Sequence, residues 1–341
     1  MNYVVAFSII ALLVLIIVGA KKSDSDGFLS KDQTNGLRGI AIIMVMCAHY
    51  YPYLGISYGQ GLVSLSLTTG FLGVAIFLFL SGYGAMISKI IKPDYLKRYL
   101  PKRLLRLYVP FLIVFVIDIL IILLSTGKLD FSWLLMMPLL SLPNILNWYL
   151  KVQLGLYILF YIIASLCKKN KTIIGLSFLF CLVFMVVGYI IKISPFWYES
   201  TFAFPFGMLF ANYRLAIYNF LNKHFKLCLI LSTVVLAFGL LPYYFFGGVL
   251  LEIAFIISFL CIVIVICTRI YIYILRIIGN CSLELYLVHL VVLETVVSKL
   301  NLLQYNWYIN IAIMIAFFLI SIAISYGINR LSNKIIGIIG K

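Results

Sequence analysis

The sequence predicts an all-α bundle of about eleven membrane-spanning helices. Of its 341 residues, 65% are apolar and only 11% are charged, and the mean hydropathy is +1.15. A soluble domain is nearer half apolar and a quarter charged. A water-soluble fold could not bury this much apolar surface. The apolar residues also form eleven runs, and most reach the ~20 residues that a helix needs to cross a bilayer.

These runs are separated by short polar gaps that mark the ends of the predicted spans. The run at 202–220 is the weakest, because a proline, an asparagine and an arginine interrupt it. The stretch 131–146 holds two prolines and is predicted to be a re-entrant or surface segment. The eleven runs are 3–20, 37–54, 70–91, 105–126, 147–167, 172–192, 202–220, 226–245, 248–267, 281–300 and 307–328.

The basic residues orient the predicted bundle. When successive polar gaps are assigned to alternate sides of the membrane, one side receives 22 of the 26 lysines and arginines. The other side receives only Lys128, Lys151, Lys192 and Lys299. Positive charge accumulates in cytoplasmic loops, so we expect a cytoplasmic-membrane protein with its N-terminus outside and its C-terminus inside. The net charge of +16 does not indicate a nucleic-acid partner, because these residues form no stripe on a soluble face.

Three parts of the chain are predicted. They are an N-terminal anchor with a cytoplasmic linker (1–36), a membrane core (37–330) and a cytoplasmic tail (331–341). The first run also resembles a secretory signal peptide that ends in small residues. However, no basic residue precedes it, and Lys21 and Lys22 follow directly, which is the reverse of a secretory leader. A retained anchor is therefore favoured.

The seven cysteines all lie in or at the ends of apolar runs, and none forms a CxxC pair. We interpret them as small apolar residues. Neither a disulfide framework nor a bound metal is predicted.

Arg38 and His49 lie eleven residues apart in the second run. Eleven steps of ~100° return to nearly the same helix face, with a rise of ~16 Å. Arg38 would then lie at the cytoplasmic end and His49 on the same face, beyond mid-membrane. This pattern suits a binding anchor at the mouth of a tunnel and a base at its far end. The alternative is an orienting arginine and an interfacial histidine.

The basic stretch 95–110 offers a second candidate site. Arg103 and Arg106 are three residues apart and share a helix face, and Arg98 belongs to the same stretch. One arginine guanidinium can donate two parallel hydrogen bonds to a phosphate group. Anionic lipid headgroups also bind such a helix, and on local grounds alone that interpretation is favoured.

Other polar side chains interrupt the apolar runs. Ser81, in a glycine-rich run, is predicted to bond across packed helices. Trp148 and Tyr149 fit an interfacial aromatic belt, but Lys151 and Gln153 in the same span are polar without an evident reason. In the tenth run, His289 lies mid-span and Tyr286 shares its face. The acids within apolar runs, each able to neutralise a buried cation or orient a histidine, are Asp118, Glu252, Glu284 and Glu294.

Five motifs occur in a fixed order along the chain. They are Leu37-Arg38-Gly39 with His49, Gly73 to Tyr83, Arg103 and Arg106 with Tyr108 and Pro110, Trp148 to Leu150, and Ser282 with Tyr286, Leu287 and His289. Together they resemble the acyltransferase-3 family of membrane proteins, which acylate cell-surface glycans. The resemblance covers about 37–328. The chain departs from the family pattern at Gln153, where many members carry a glutamate, and at Val109, which is an extra residue.

The resemblance implies an acyl-CoA donor, usually acetyl-CoA, and a hydroxyl of a polysaccharide or lipid-linked glycan as acceptor, with no metal. On this hypothesis the arginines of the two basic motifs hold the CoA phosphates, and His49 is the general base. A covalent acyl-histidine is the less favoured variant. The oxyanion donor is chosen among His289, Tyr286 and Lys151, with Ser81, Trp148, Tyr149 and Gln153 as substrate-binding or supporting residues.

Two other classes of function remain open. A transporter or flippase of a lipid-linked or modified glycan would also need polar groups inside a helix bundle. A structural subunit of an assembly complex would bind no acyl donor. The feature that favours the enzyme is the pair of basic motifs, since a transporter has no evident need for a CoA-phosphate site. Membrane lipids are expected around the bundle in every case.

Overall fold

The structure is a computed structural model that describes residues 2–23, 26–57, 65–128, 130, 132–143 and 148–339. Most of this part is helical. The helices are α1 (Asn2–Val18), α2 (Lys31–Tyr50), α3 (Thr68–Ile91), α4 (Tyr99–Thr126), α5 (Trp133–Met136), α6 (Trp148–Leu166), α7 (Asn170–Ile190), α8 (Ala203–Asn212), α9 (Arg214–Lys223), α10 (Phe225–Phe246), α11 (Val249–Cys267), α12 (Arg276–Asn280), α13 (Ser282–Thr295) and α14 (Trp307–Ile339). Two short strands, β1 (Ala20–Lys22) and β2 (Ile270–Ile272), pair antiparallel.

The predicted all-α membrane bundle is confirmed, but the count of eleven spans is not. In the described part of the chain, eight helices are long and apolar enough to cross a bilayer. Three predicted spans give shorter helices. The first run forms α1, with 17 residues. The run 202–220 is broken between α8 and α9, where the Arg214 Nε donates to the Phe28 carbonyl oxygen at 2.9 Å. The run 281–300 contributes α13, with 14 residues.

The proline-containing stretch 131–146 has no spanning-length helix in its described part. It consists of the four-residue α5 followed by turns. The Tyr108 hydroxyl of α4 donates to the Pro138 carbonyl oxygen at 2.9 Å and ties the stretch to the bundle. Residues 131 and 144–146 of this predicted segment lie outside the described residues.

The outer surface of the bundle is apolar. On α10, Phe238 is 73% exposed and Phe246 is 84% exposed, and at the end of α4 Leu124 is 86% exposed. Large exposed apolar patches are rare on soluble monomers, and lipid would cover them here. The chain is an integral membrane protein.

The centre of the bundle is built around α2 and α3, whose residues are mostly buried. α3 packs against α2 and α8. A methyl group on Gly82 of α3 would overlap the Phe204 carbonyl oxygen of α8, and one on Gly207 of α8 would overlap the Phe79 carbonyl oxygen of α3. This reciprocal approach of two backbones requires glycine at both positions.

The predicted linker after α1 contains a short strand and the start of α2 in its described part. β1 pairs with β2, so that Ala20 lies opposite Ile272. α2 begins at Lys31, where the Ser30 side chain accepts from the Gln33 backbone N–H at 3.3 Å. The predicted domain boundaries at 36 and 330 both fall inside helices, namely α2 and α14.

Helix α13 passes through the interior of the protein. It contacts α2, α4 and α14, and its buried residues lie on all sides of the helix. A helix that is buried on all sides lies in the interior of a bundle and not at its lipid-facing surface. This position brings His289, which is fully buried, against α2.

Candidate functional site

Two cavities contain most of the predicted site residues. The first, of about 570 Å³, we call the basic cavity. Its lining includes four basic side chains and one acid, which are Lys31, Arg38, Arg103, Arg106 and Glu284. The excess of positive charge favours an anionic ligand.

The second cavity, of about 460 Å³, we call the histidine cavity. His49 lines it together with several aromatic side chains and two acids. The lining residues used below are His49, Trp148, Phe196, Glu199, Glu252 and Tyr286. A mostly apolar wall with a few placed polar groups is typical of small-molecule sites.

Arg38 is held in the basic cavity by a chain of amides. Its Nη1 donates to the Asn35 Oδ1 at 2.7 Å, and the Asn35 Nδ2 donates to the Asn280 Oδ1 at 2.6 Å. The Asn329 Nδ2 donates to the Glu284 Oε1 at 3.0 Å on the same wall. Because the Asn35 bond uses only one of the five guanidinium N–H groups, others remain for a ligand.

Arg103 is held by aromatic rings instead. Its Nη2 donates to the Tyr95 hydroxyl at 3.2 Å, and its guanidinium lies 5.5 Å from the Tyr99 ring centre and 5.1 Å from that of Tyr157. Such cation–π contacts orient the planar group without neutralising its charge. Arg106, one turn further along α4, is exposed and lines the same cavity.

The two histidines form a direct pair. The His49 Nδ1 lies 2.9 Å from the His289 Nε2, and the His289 Nδ1 lies 2.9 Å from the Leu285 carbonyl oxygen. A carbonyl oxygen only accepts, so the His289 Nδ1 carries a proton. In a neutral ring the His289 Nε2 then accepts from the His49 Nδ1. This network assigns the unshared electron pair of neutral His49 to its Nε2, the position that a general base uses.

The two cavities meet at Tyr286, whose side chain lines both. Its ring lies 5.0 Å from that of Tyr149 and 5.6 Å from that of His289, centre to centre. α2 carries both Arg38 and His49, as predicted, but the two side chains line different cavities. The aromatic ring of Tyr286 stands where these cavities adjoin.

A family model for the acyltransferase domain matches residues 32–330. This range covers most of the chain. The chain belongs to the acyltransferase-3 family. No curated protein and no solved structure matches it. The protein is therefore a membrane acyltransferase.

Three further predicted residues of this acyltransferase lie together at the basic cavity. The Ser81 hydroxyl donates to the Gln153 Oε1 at 3.0 Å, and the Tyr149 hydroxyl donates to the same oxygen at 3.3 Å. All three residues line the cavity. The glutamine accepts both bonds, as a glutamate would, so the departure from the family pattern leaves the two hydroxyls paired.

Other predicted residues lie elsewhere. Trp148 lines the histidine cavity, with its ring 5.3 Å from that of Phe196. The Lys151 Nζ lies 5.9 Å from the Trp197 ring, and Lys151 lines neither cavity. Arg98 is exposed and also lines neither. Lys151 and Arg98 therefore lie apart from the predicted site residues that line the two cavities.

No acid pairs with a histidine among the residues described. Glu294 accepts from the Tyr53 hydroxyl at 3.2 Å, and the partner of His49 is His289 instead.

Sequence reasoning missed Asn35, although it lies three residues before Arg38 on the same helix face. It also missed Glu199, which follows the seventh helix in a short polar stretch with no local signal.

We expect His289→Ala to lower acyl transfer by about 10- to 100-fold, in the range for residues that orient a reacting group. The change leaves the His49 Nδ1 without its acceptor, so the imidazole loses its fixed tautomer. His289→Gln keeps an oxygen acceptor near that position and is expected to retain more activity than His289→Ala. The rate of CoA release from acetyl-CoA by the purified protein measures this. Equal losses in both variants would contradict the orienting role.

Proposed function

We propose that the protein transfers an acyl group, most simply acetyl, from acyl-CoA in the basic cavity to a hydroxyl of a glycan in the histidine cavity. The observation that carries this proposal is the meeting of the two cavities. Three guanidinium groups line one cavity, His49 lines the other, and Tyr286 lines both.

The basic cavity suits the phosphates of CoA. Arg38, Arg103 and Arg106 converge on it from α2 and α4. Guanidinium binds phosphate through paired, charge-assisted hydrogen bonds. The positive-inside distribution of lysine and arginine supports a cytoplasmic position for this cavity, where acyl-CoA is made. The histidine cavity then faces the outer side, where an exported glycan is presented.

The proposed reaction is a direct transfer. The His49 Nε2 takes the proton of the acceptor hydroxyl while the hydroxyl oxygen bonds to the thioester carbonyl carbon. The tetrahedral intermediate then breaks its carbon–sulfur bond, and the departing CoA thiolate receives the proton from the His49 imidazolium. During this cycle the His49 Nδ1–H bond to the His289 Nε2 is kept, so that His289 orients His49 as the carboxylate of a catalytic triad orients its histidine.

Tyr286 is the oxyanion donor that the geometry supports best. Of the three donors that the sequence offered, His289 is less suitable because both of its ring nitrogens already have partners. Lys151 is less suitable because it lines neither cavity. Tyr286 lies at the junction, where a thioester carbonyl would stand between the donor and His49. A phenolic O–H there would donate to the developing negative charge.

The test is acetyl transfer by the full chain. Mass spectrometry of surface polysaccharide from cells with and without the protein should show one glycan that loses the acetyl mass when the protein is absent. The purified protein in lipid nanodiscs should bind acetyl-CoA and release CoA. Unchanged glycan masses together with no acetyl-CoA binding would contradict the proposal, and a glycan that is unmodified but no longer exported would favour a transporter.

A further inference from the structure

A pair of carboxyl groups lines the histidine cavity and has no role in the transfer chemistry above. Glu199 begins the short helix Glu199–Phe202 between α7 and α8, and Glu252 lies in the first turn of α11. Both line the cavity that contains His49. Glu199 is only 3% exposed, Glu252 is partly buried, and the two carboxyl groups are close enough to interact electrostatically.

The surroundings of this pair favour a carboxyl group that keeps its proton. Glu199 is buried and Glu252 is partly buried, and two neighbouring carboxylates repel each other when both are charged. Burial, together with the Glu252 carboxyl, raises the pKa of Glu199 well above its ordinary value. Among the residues that the structure describes, no lysine or arginine forms an ion pair with either acid. The pair therefore offers both an O–H donor and carboxyl acceptors to the same small volume.

The remaining wall of the cavity is aromatic. Trp148 and Phe196 pack with ring centres 5.3 Å apart, and Phe71 meets Tyr243 edge to face at 6.1 Å. All four line the cavity. Its volume of about 460 Å³ falls within the range of small-molecule pockets. A sugar ring presents apolar C–H faces that pack on aromatic rings, and hydroxyl groups that both donate and accept.

We propose that Glu199 and Glu252 bind the acceptor as a sugar ring with two adjacent free hydroxyl groups, which places a further hydroxyl of that ring at the His49 Nε2. One hydroxyl of the pair accepts from the protonated carboxyl, and its neighbour donates to the other carboxyl. This inference rests on the proposed acyl transfer and names the residues that select its acceptor. It makes the pair a binding element and leaves proton transfer to His49.

The experiment uses the full-length protein in lipid nanodiscs with acetyl-CoA. The probes are the methyl glycosides of glucose, galactose and mannose, and the fully O-methylated glucoside serves as the probe without hydroxyls. CoA thiol release measures turnover, and mass spectrometry detects the acetylated glycoside. The variants are Glu252→Leu, Glu199→Leu and Glu252→Gln. Asp118→Leu is the matched control, because it removes a buried acid of α4 that lines neither cavity.

For the wild-type protein we expect at least one free glycoside, and not the methylated one, to accelerate CoA release. Each leucine variant should raise the KM for that glycoside by at least about tenfold, the effect of 1.4 kcal/mol. Its acetyl-CoA affinity should match the wild type, because Glu199 and Glu252 do not line the basic cavity. Glu252→Gln keeps a donor and an acceptor, so its KM should stay within about threefold, because little binding energy is lost.

Three results would overturn the inference. One is a glycoside KM that is the same in both leucine variants and in the wild type. Another is an equal rise in KM for Asp118→Leu, which would indicate a general effect of removing a buried acid. The last is a wild-type protein that cleaves acetyl-CoA but responds to no glycoside. A wild-type protein that neither binds nor cleaves acetyl-CoA would instead overturn the proposed function, and this inference with it.

Discussion

Replacing His49 with alanine is expected to lower acyl transfer by about 10²- to 10⁴-fold, the usual contribution of a general base. The affinity for acyl-CoA should stay unchanged, because His49 lines the histidine cavity and the guanidinium groups line the other. The hydrogen bond to His289 fixes which His49 nitrogen is unprotonated. Among the described residues, His49 is the only histidine that lines that cavity. His289 is fully buried and does not line it.

The matched control is His224→Ala, which removes the third histidine of the chain. His224 lies in a separate, basic surface pocket with Lys223 and Lys226, so its loss should not change transfer. CoA release with a glycoside acceptor, and binding of acetyl-CoA by calorimetry, measure the two quantities. Undiminished transfer by a folded His49→Ala protein would rule out His49 as the base.

Replacing Arg103 with alanine is expected to weaken acyl-CoA binding by about 10- to 100-fold. A hydrogen bond to a charged group contributes roughly 1.5–3 kcal/mol, and Arg103 can form two of them with one phosphate. Its guanidinium is already oriented by Tyr95, Tyr99 and Tyr157, so little conformational freedom is lost on binding. Arg103→Lys should recover only part of the affinity, because an ammonium group cannot donate two parallel hydrogen bonds to one phosphate.

The control for this experiment is Arg98→Ala, which removes an exposed arginine just before α4 that lines neither cavity. Titration of acetyl-CoA into protein in nanodiscs of neutral lipid measures the dissociation constant without competing anionic headgroups. If Arg98→Ala and Arg103→Ala weaken binding equally, the loss of affinity comes from the lower positive charge of the surface and not from a specific contact of Arg103. If neither changes the affinity, the basic stretch is only a lipid anchor.

The sequence anticipated the parts of the site that lie within one helix. Arg38 and His49 do share α2, and Arg103 and Arg106 do share α4 and line one cavity. A helix has a fixed rotation and rise per residue, so the spacing of two residues on it gives their relative positions directly. Asn35 could have been found by the same argument.

The number of spans was harder to predict than their existence. Hydropathy counts a run as one helix, but the run 202–220 is broken between α8 and α9. The break is held by Arg214, which bonds to Phe28 in a distant part of the chain. α13 is too short for a span by length, yet it is enclosed by other helices, so bilayer thickness does not set its length.

The sequence by itself determined that this is a membrane protein built from helices, because hydropathy and charge distribution are sums over neighbouring residues. Only the tertiary structure decided that His289 pairs with His49 across 240 residues of chain, that Glu199 meets Glu252, and that Tyr286 stands between the two cavities. Those neighbours follow from how helices pack against one another. Packing depends on many weak contacts distributed over the whole chain, and no local spacing encodes it.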